Sequence, residues 1–478
     1  MKQVFEAIKH HSVTRPDNIA FEDDINQISW SDLSTRVECL ACQLDAVEGT
    51  IGIGLAGGID YVIADLALTL SAKRQVPLPF FFSTEQNAHI LMDAKVSSVI
   101  TSNPEIFSAL PHLKLINPAA QSNEVCAFRS YNGGAKRIIY TSGSSGNPKG
   151  VVLGDRQMDA SIRALSRVIA ADASDTHLSI LPLAQLLEQI CGIFLPIVAG
   201  AKTVFRFEAT KSLFGAPIDP LVQAFETIRP TTSLLAPAIL ARWIDAVAHQ
   251  RAPDSLRFVA VGGASSSASL IKSAHDIGIP VHEGYGLSEC CAVVAMNRPG
   301  DNQPGTVGPV LDGLNVSLEN GEIVVSGPTV MQGYLNARPA PSVWHTGDLG
   351  HFDGDRLVID GRKDALLVTA AGRNVSPEWV EQRVNADPRI VSSALGIRKS
   401  DGTLVLIVVA AAPVSPREIE IHLSDLPIYA QPTALIITDP SEAGLLFPVG
   451  TPNRLVAATL INTRDTQQLN VVLESLAS

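Results

Sequence analysis

From residue 51 onward, short β-branched apolar runs alternate with stretches whose apolar residues recur at helical spacing: strand-like 51–55, helical 61–72, strand-like 76–79, helical 85–94, strand-like 96–101. This rhythm predicts βαβ units and a largely parallel sheet with covered faces, because parallel strands need crossover helices that bury them. It resumes with strands at 178–181, 203–205, 232–235 and 257–261, and with helices near 186–198, 221–227 and 238–248. Two such layers predict a duplicated or doubly wound architecture. Beyond about residue 300 the pattern changes to short glycine-punctuated strands, as in Gly321-Glu322-Ile323-Val324-Val325-Ser326-Gly327, which predicts a small β-rich subdomain. A further break falls at Asp360-Gly361-Arg362-Lys363-Asp364. After it, strands at 389–397 and 403–411 and helices near 377–384 and 416–423 form an α+β unit of their own. The expected fold is α/β: a large N-terminal domain, residues 1–363, of two layered βαβ subdomains plus the small β-rich subdomain, and an α+β C-terminal domain, residues 364–478.

Composition changes this picture little. At 478 residues the chain exceeds what one hydrophobic core usually supports, and with 46% hydrophobic and 18% charged residues it is far from a disordered composition. The net charge of −12, from 36 basic and 48 acidic side chains without a basic cluster, argues against nucleic-acid binding. The N-terminal segment is amphipathic and lacks the apolar stretch of a secretory signal, so a cytoplasmic location is expected. The longest apolar runs, 189–201 and 404–413, are too short to span a bilayer, and no membrane span is expected. Six cysteines, at 39, 42, 126, 191, 290 and 291, have no paired metal-site spacing and are expected to be reduced thiols. Cys39-Leu40-Ala41-Cys42 sits within a helical pattern of Leu33, Val37, Leu40 and Leu44, which favours a helix over a redox or metal motif.

One segment carries chemistry on its face. Tyr140-Thr141-Ser142-Gly143-Ser144-Ser145-Gly146-Asn147-Pro148-Lys149-Gly150 supplies hydroxyl and backbone N–H donors, glycines that allow close approach, and the charge of Lys149. Those are the parts of a phosphate cradle. It is not a Walker-type loop, because no Gly-Lys is followed by Ser or Thr and the next residues are β-branched. Taken alone, the loop fits equally well as a surface connection between two strands.

Further motifs follow in order: Ile28-Ser29-Trp30-Ser31-Asp32-Leu33, Gly262-Gly263-Ala264, Tyr285-Gly286-Leu287-Ser288-Glu289, Gly333-Tyr334-Leu335, Trp344-His345-Thr346-Gly347-Asp348-Leu349-Gly350 and Gly361-Arg362-Lys363-Asp364. With the loop, this set resembles the adenylate-forming superfamily: acyl-CoA synthetases, adenylation domains of peptide synthetases and luciferases. The resemblance covers nearly the whole chain. It implies ATP bound by Thr141, Ser142, Gly143, Ser144, Ser145, Gly146, Gly263, Ala264, Tyr285, Gly286, Ser288, Asp348 and Arg362, with Asp348, in a tight turn, accepting from the ribose hydroxyls. Glu289, a hard carboxylate, suits Mg²⁺ bridging the phosphates, with Thr141 as a second oxygen ligand. Lys149 and Glu289 take catalytic roles, and Gln185, Gly262 and Leu287 line the acid pocket. Asp364 is implied as the hinge of a mobile C-terminal domain, and Gly372 as the place where a pantetheine arm passes.

The activity implied is ATP-dependent conversion of a small carboxylic acid to an acyl-adenylate, followed by transfer to the thiol of CoA or of carrier-protein phosphopantetheine. An acyl carrier protein is thus a candidate partner. The segment Leu181-Pro182-Leu183-Ala184-Gln185-Leu186-Leu187-Glu188-Gln189 resembles the long-chain acyl-CoA synthetase branch, with Gln185 where those enzymes often have His. It shows no Asp to hold an α-amino group, which favours fatty or aryl acids. One departure concerns the C-terminal lysine of the family. No lysine follows Lys399, and in Phe447-Pro448-Val449-Gly450-Thr451-Pro452-Asn453-Arg454 the only nearby cation is Arg454, the expected catalytic substitute. Two alternatives stay open: a ligase that loads a carrier protein in secondary metabolism, and a degenerate member that binds nucleotide or acyl-adenylate without efficient turnover.

Overall fold

The computed structural model describes residues 1–119, 127–141, 148–247, 251–263, 266–369, 374–387, 389–442, 444–446 and 452–469. Two large sheets form its bulk. In the seven-stranded sheet, strands Arg74–Pro77, Thr50–Ile53, Val96–Ile100 and Lys114–Ile116 run parallel, as the alternation predicts. At its other side, Lys136–Thr141 pairs antiparallel with Lys149–Gly154, which pairs antiparallel with Gly333–Tyr334. The eight-stranded sheet is parallel through Val281–Tyr285, Phe258–Val261, Thr232–Leu235, Thr176–Ser179, Lys202–Phe205 and Ile19–Glu22. Ile19–Glu22 belongs to the N-terminal segment yet lies beside Lys202–Phe205, with Phe21 opposite Thr203.

The helix Gly58–Leu70 is apolar all round and all of its residues from Tyr61 to Leu70 are buried, as a helix enclosed on every side must be. Asp60, in the first turn, is part-exposed and pairs with Arg36, and the one buried charge is Asp65. Its carboxylate takes a fork of Arg137, with Nη2 to Oδ1 at 2.7 Å, and Arg137 also donates to Gln189 Oε1 at 2.6 Å and lies 5.2 Å over the Phe194 ring. Gln189 in turn donates to the Tyr61 hydroxyl at 3.0 Å. A buried pair held by such a two-point fork is tolerable, whereas breaking it costs about 3–5 kcal/mol. Here it ties the strand Lys136–Thr141 to the second layer.

The helix expected over 186–198 is present but interrupted: Leu186–Glu188 and Leu195–Ala199 flank a π turn, Gln189–Phe194. Pro196 has no N–H for the carbonyl of Gly192. That carbonyl instead accepts from Thr203 Oγ1 at 2.9 Å, so the widened turn leaves no orphan there. A second difference is the helix Asp155–Ile169, directly after Lys149–Gly154, where only the strand was expected.

Beyond residue 300 an antiparallel four-stranded sheet, Asn315–Glu319, Glu322–Ser326, Val343–Asp353 and Arg356–Arg362, supplies the small β-rich part. The C-terminal sheet, Ile390–Ile397, Leu404–Ala410, Ala434–Thr438 and Gln467–Gln468, has its own core under helices Pro377–Val384 and Pro416–Leu423. Both helices begin at a proline, which suits the first helical position because its missing N–H would be unpaired there anyway. No helix among the described residues is long and apolar enough to cross a membrane. Cys39 and Cys42 lie in the helix Trp30–Asp45, where Cys42 Sγ accepts from Arg129 at 3.1 Å.

Candidate functional site

The carboxyl ends of parallel strands open into one cleft of about 920 Å³. Ligands of open α/β sheets collect at such ends. Its lining includes Thr141, Gly262, Gly263, Tyr285, Gly286, Leu287, Ser288 and Gln185, which brings together expected nucleotide-site and acid-pocket residues. Ser142, Gly143, Ser144, Ser145, Gly146, Ala264 and Gly372 lie outside the described residues. Lys149, Glu289, Asp348 and Arg362 stand behind the lining, each tied to it by neighbours in chain or space.

The glycines are there for space. A Cβ on Gly262 would meet the Gly284 carbonyl oxygen at 3.2 Å, and one on Gly286 would fall 1.6 Å from the Ala292 carbonyl oxygen. Backbone therefore packs on backbone where a flat ring could enter.

Asp348 does not occupy a tight turn, as expected from Thr346-Gly347, but sits within the strand Val343–Asp353. Pairing jumps from His345 opposite Val324 to Leu349 opposite Glu322, so the strand bulges between them, with Gly347 at φ +75°. The bulge is stapled by Thr346 Oγ1, which accepts from the Asp348 N–H at 3.0 Å, and by Glu322, which accepts from the Gly347 N–H at 3.0 Å. Bulges re-aim a side chain. Here the Tyr285 hydroxyl donates to Asp348 Oδ2 at 2.6 Å and Arg362 Nη1 stands 3.3 Å from Oδ1. Burial pushes the Asp348 carboxyl up, while Tyr285 and Arg362 pull it back. Arg362 also donates to Asp364 Oδ1 at 3.0 Å.

Tyr334, quoted in a motif but given no role from sequence, joins Glu289 and Lys149. Its hydroxyl donates to Glu289 Oε1 at 2.7 Å, and Lys149 Nζ lies 5.7 Å from its ring centroid. Thr141 and Lys149 are directly opposed across the hairpin, and Tyr334 pairs with Val151. The helix Thr84–Asp93, expected over 85–94 but given no role from sequence, clasps both ends of the 142–147 loop. His89 Nε2 is 3.1 Å from the Pro148 carbonyl oxygen, and the Tyr140 hydroxyl donates to Asp93 Oδ2 at 2.6 Å. These pairs span 47 to 59 residues, and no local pattern announces them. No cluster of three or more His, Cys, Asp or Glu side chains suited to a metal occurs among the described residues. One carboxylate with hydroxyls nearby fits Mg²⁺, which keeps its waters and leans on substrate phosphates.

The cleft lining also includes the apolar Leu181, Leu187, Leu234, Phe214 and Val293 together with Gln185. The C-terminal part contributes Glu378, Glu381 and Arg454 to the same cleft. Arg454, first residue of the helix Arg454–Thr463, is engaged there: Nη2 donates to Glu381 Oε2 at 2.8 Å, Nη1 donates to Oε1, and Glu378 Oε1 is 3.5 Å away. Glu381, raised by burial, also accepts from the Leu395 N–H at 2.6 Å.

Glu283, two residues before Tyr285, gives a stability prediction. Burial pushes its carboxyl from 4.5 to about 7. Its proton is held more tightly in the fold, so that contribution is complete below pH 4.5, declines as pH rises, and is gone above about 7. Glu283→Gln should therefore flatten this slope and be more stable than wild type at pH 8 by up to about 3 kcal/mol. Urea midpoints at pH 5 and pH 8 check it.

Comparisons with known proteins bear on this site. The sequence profile described as AMP-binding enzyme matches residues 8–335. A protein of Mycobacterium tuberculosis, described only provisionally as a fatty-acid–CoA ligase (fadD11), is 28% identical over 56% of this chain. The chain spans 57% of that relative's own length. A 2-succinylbenzoate–CoA ligase of Bacillus subtilis is 24% identical over 80% of this chain and 82% of its own. The solved structure of the O-succinylbenzoate coenzyme A synthetase of Bacillus subtilis with ATP and a magnesium ion superposes with a TM-score of 0.78 at 22% identity, covering 90% of this chain and 95% of that one. At that identity the likeness shows the fold.

Proposed function

The chain belongs to the AMP-binding enzyme family, and from that premise we propose that it activates a fatty or aryl carboxylic acid with ATP and passes the acyl group to a thiol. The observation that carries the reading is one cleft whose lining combines Gly262, Gly263 and Gly286, backed by Tyr285, Asp348 and Arg362, with many apolar side chains. The named activities of the relatives, fatty-acid and 2-succinylbenzoate CoA ligation, fit such a cleft.

In the first step a carboxylate oxygen of the acid attacks the α-phosphorus of ATP, and the bond to the pyrophosphate oxygen breaks. Lys149 and the hydroxyl of Thr141 neutralise and position the departing phosphates, while Asp348 accepts from the ribose hydroxyls and Tyr285 and Arg362 hold that carboxylate in place. Glu289, with Thr141, would hold Mg²⁺, whose charge offsets that of the phosphates. In the second step a thiolate attacks the acyl carbonyl carbon and AMP leaves. The thiol belongs to CoA or to the phosphopantetheine of an acyl carrier protein.

Asp364, beside Arg362 at the end of the small sheet, serves as hinge between residues 1–363 and 364–478, a division supported by the separate core of the C-terminal sheet. Gly372 takes the pantetheine arm. A cytoplasmic setting is the one in which ATP and reduced thiols meet, and Cys191, Cys290 and Cys291 are buried and free. Carboxylate-dependent exchange of labelled pyrophosphate into ATP, over fatty, aryl and amino acids, tests the reading. Exchange with an apolar acid is expected, and silence over the whole panel removes the enzyme.

A second reading, nucleotide or acyl-adenylate binding without efficient turnover, is favoured by one observation: among the described residues, the only C-terminal cation lining the cleft is committed to Glu381. Arg454→Ala leaves the 5% exposed Glu381 unpaired and should cost the C-terminal part about 3 kcal/mol. The pair of changes Arg454→Gln with Glu381→Gln removes both charges and restores stability. If Arg454 assists adenylation, that double variant exchanges pyrophosphate at least tenfold more slowly than wild type. Unchanged exchange removes Arg454 from the chemistry.

A further inference from the structure

The helix Thr84–Asp93 touches the segments that carry Thr141, Lys149 and Tyr334. Its start is fixed by a capping box, in which Ser83 Oγ accepts from the Gln86 N–H at 3.2 Å and Gln86 Oε1 accepts from the Ser83 N–H at 2.9 Å. Ile90, fully buried, anchors the helix in a core shared with Ile138 and Tyr140. His89 and Asp93, one turn apart, lie on the same face. Neither lines the cleft.

His89 Nε2 is 3.1 Å from the Pro148 carbonyl oxygen. A carbonyl only accepts, so Nε2 carries the proton. Asp93 uses both carboxylate oxygens: Oδ2 accepts from the Tyr140 hydroxyl at 2.6 Å and Oδ1 accepts from Asn336 Nδ2 at 2.9 Å. The same amide reaches the Asp93 carbonyl oxygen at 3.0 Å. Burial, and then the Asp93 carboxylate, push the Tyr140 hydroxyl well above the usual tyrosine range, so it stays a donor. The Tyr140 ring lies against Gly150, where a Cβ would come within 3.0 Å of its Cζ. Each partner adjoins a group assigned to the phosphates or to their metal. Tyr140 precedes Thr141, Pro148 precedes Lys149, and Asn336 closely follows Tyr334, whose hydroxyl meets Glu289.

We propose that His89 and Asp93 are positioning residues for the β- and γ-phosphates of ATP: from outside the cleft they fix the spacing of Thr141, Lys149 and Tyr334. A misplacement of about 1 Å in such a constellation costs about 10²-fold. Short hydrogen bonds to a carboxylate supply the needed stiffness. The effect falls on the phosphates and spares the nucleoside, because Asp348 is held separately by Tyr285 and Arg362.

The inference rests on the acid-activating reading, and the experiment keeps the two apart. Calorimetry gives affinities for Mg-ATP and for AMP in wild type, Asp93→Ala, Asp93→Asn, His89→Ala, Tyr140→Phe and the double variant Asp93→Ala with Tyr140→Phe. Pyrophosphate exchange gives the KM for ATP and for the acid. Asp93→Ala, His89→Ala and Tyr140→Phe are each expected to bind ATP at least fivefold more weakly, with AMP affinity within twofold of wild type. Asp93→Asn, whose amide oxygen still accepts from Tyr140, recovers most of the loss. The double variant is no more than twofold worse than Asp93→Ala, since the two changes break one bond. The KM for ATP rises in step and the KM for the acid does not.

ATP affinity within twofold of wild type in all variants, or equal weakening of ATP and AMP, overturns the proposal. If Asp93→Ala does not fold, Tyr140→Phe, which removes a single hydroxyl, decides alone, with a threefold selective loss of ATP affinity required. Wild type that binds ATP but exchanges no pyrophosphate with any acid sinks the acid-activating reading, and the affinities still decide on His89 and Asp93. Wild type that binds neither nucleotide overturns both.

Discussion

Replacing Asp348 with alanine should lower pyrophosphate exchange by roughly 10²–10³-fold, the range for loss of a preorganised polar group in an enclosed site. Much of the loss should appear in KM for ATP, since hydrogen bonds to a charged acceptor contribute about 1.5–3 kcal/mol and two ribose hydroxyls are in play. The substitution also leaves the Tyr285 hydroxyl without its 2.6 Å partner and removes the carboxylate that draws Arg362 to the site. Asp348→Asn separates these effects, because it keeps the shape of the bulge while losing the charge, and it should recover only a small part of the activity. Steady-state exchange at saturating and limiting ATP is the measurement. A KM for ATP within twofold of wild type in the alanine variant would show that Asp348 does not touch the nucleotide.

The second large effect is expected at Gly286. An alanine there places its Cβ 1.6 Å from the Ala292 carbonyl oxygen and 2.8 Å from Val293 Cα, both main-chain atoms that cannot swing aside as a side-chain tip can. The turn between them is already tight, with Cys291 and Ala292 both at positive φ and the Ala292 N–H bonded to the Leu287 carbonyl at 3.2 Å. Relief must come from opening that turn, which carries Ser288 and Glu289. Gly286→Ala should therefore cost about 3–5 kcal/mol and, in any protein that folds, abolish exchange by displacing Glu289 from the Tyr334 hydroxyl. Urea unfolding together with exchange reads both. A wild-type midpoint and wild-type activity would mean that the turn accommodates a methyl group.

How much of this was legible depended on how local each feature is. The βαβ rhythm announced the parallel strands, and the helices Pro377–Val384 and Pro416–Leu423 were expected within the bounds they occupy, because proline marks their starts and apolar spacing their lengths. Asp348, Tyr285 and Glu289 were picked out with their chemistry, yet the bulge that aims Asp348 depends on pairing with Glu322–Ser326 and leaves no mark in Thr346-Gly347 itself. The π turn was invisible for a related reason: its widening is repaired by Thr203, on another element. The helix Asp155–Ile169 is a different kind of omission. Met158, Ile162, Leu165 and Ile169 lie on one face at helical spacing, but the β-branched residues just before them drew attention to the strand. Tyr334, His89 and Asp93 act through partners distant in sequence, so their roles became readable only once the hairpin at Lys136–Thr141 and Lys149–Gly154 was placed beside them.

The strand Ile19–Glu22 pairs on one side with Gln27–Ser29, its near neighbour in the chain, and on the other with Lys202–Phe205, far along it. During synthesis its parallel neighbour does not yet exist. At the usual pace of translation, the interval between the two strands leaving the ribosome is roughly ten to forty seconds. For that time Phe21, fully buried in the finished protein, has only the hairpin partner Ile28 beside it, and the helix Lys2–Thr14 lacks the Ile197 carbonyl that His11 will meet at 3.1 Å. The nascent N-terminus is thus an early product that must wait for a late one, and it is the stretch most in need of a chaperone's cover while the ribosome catches up.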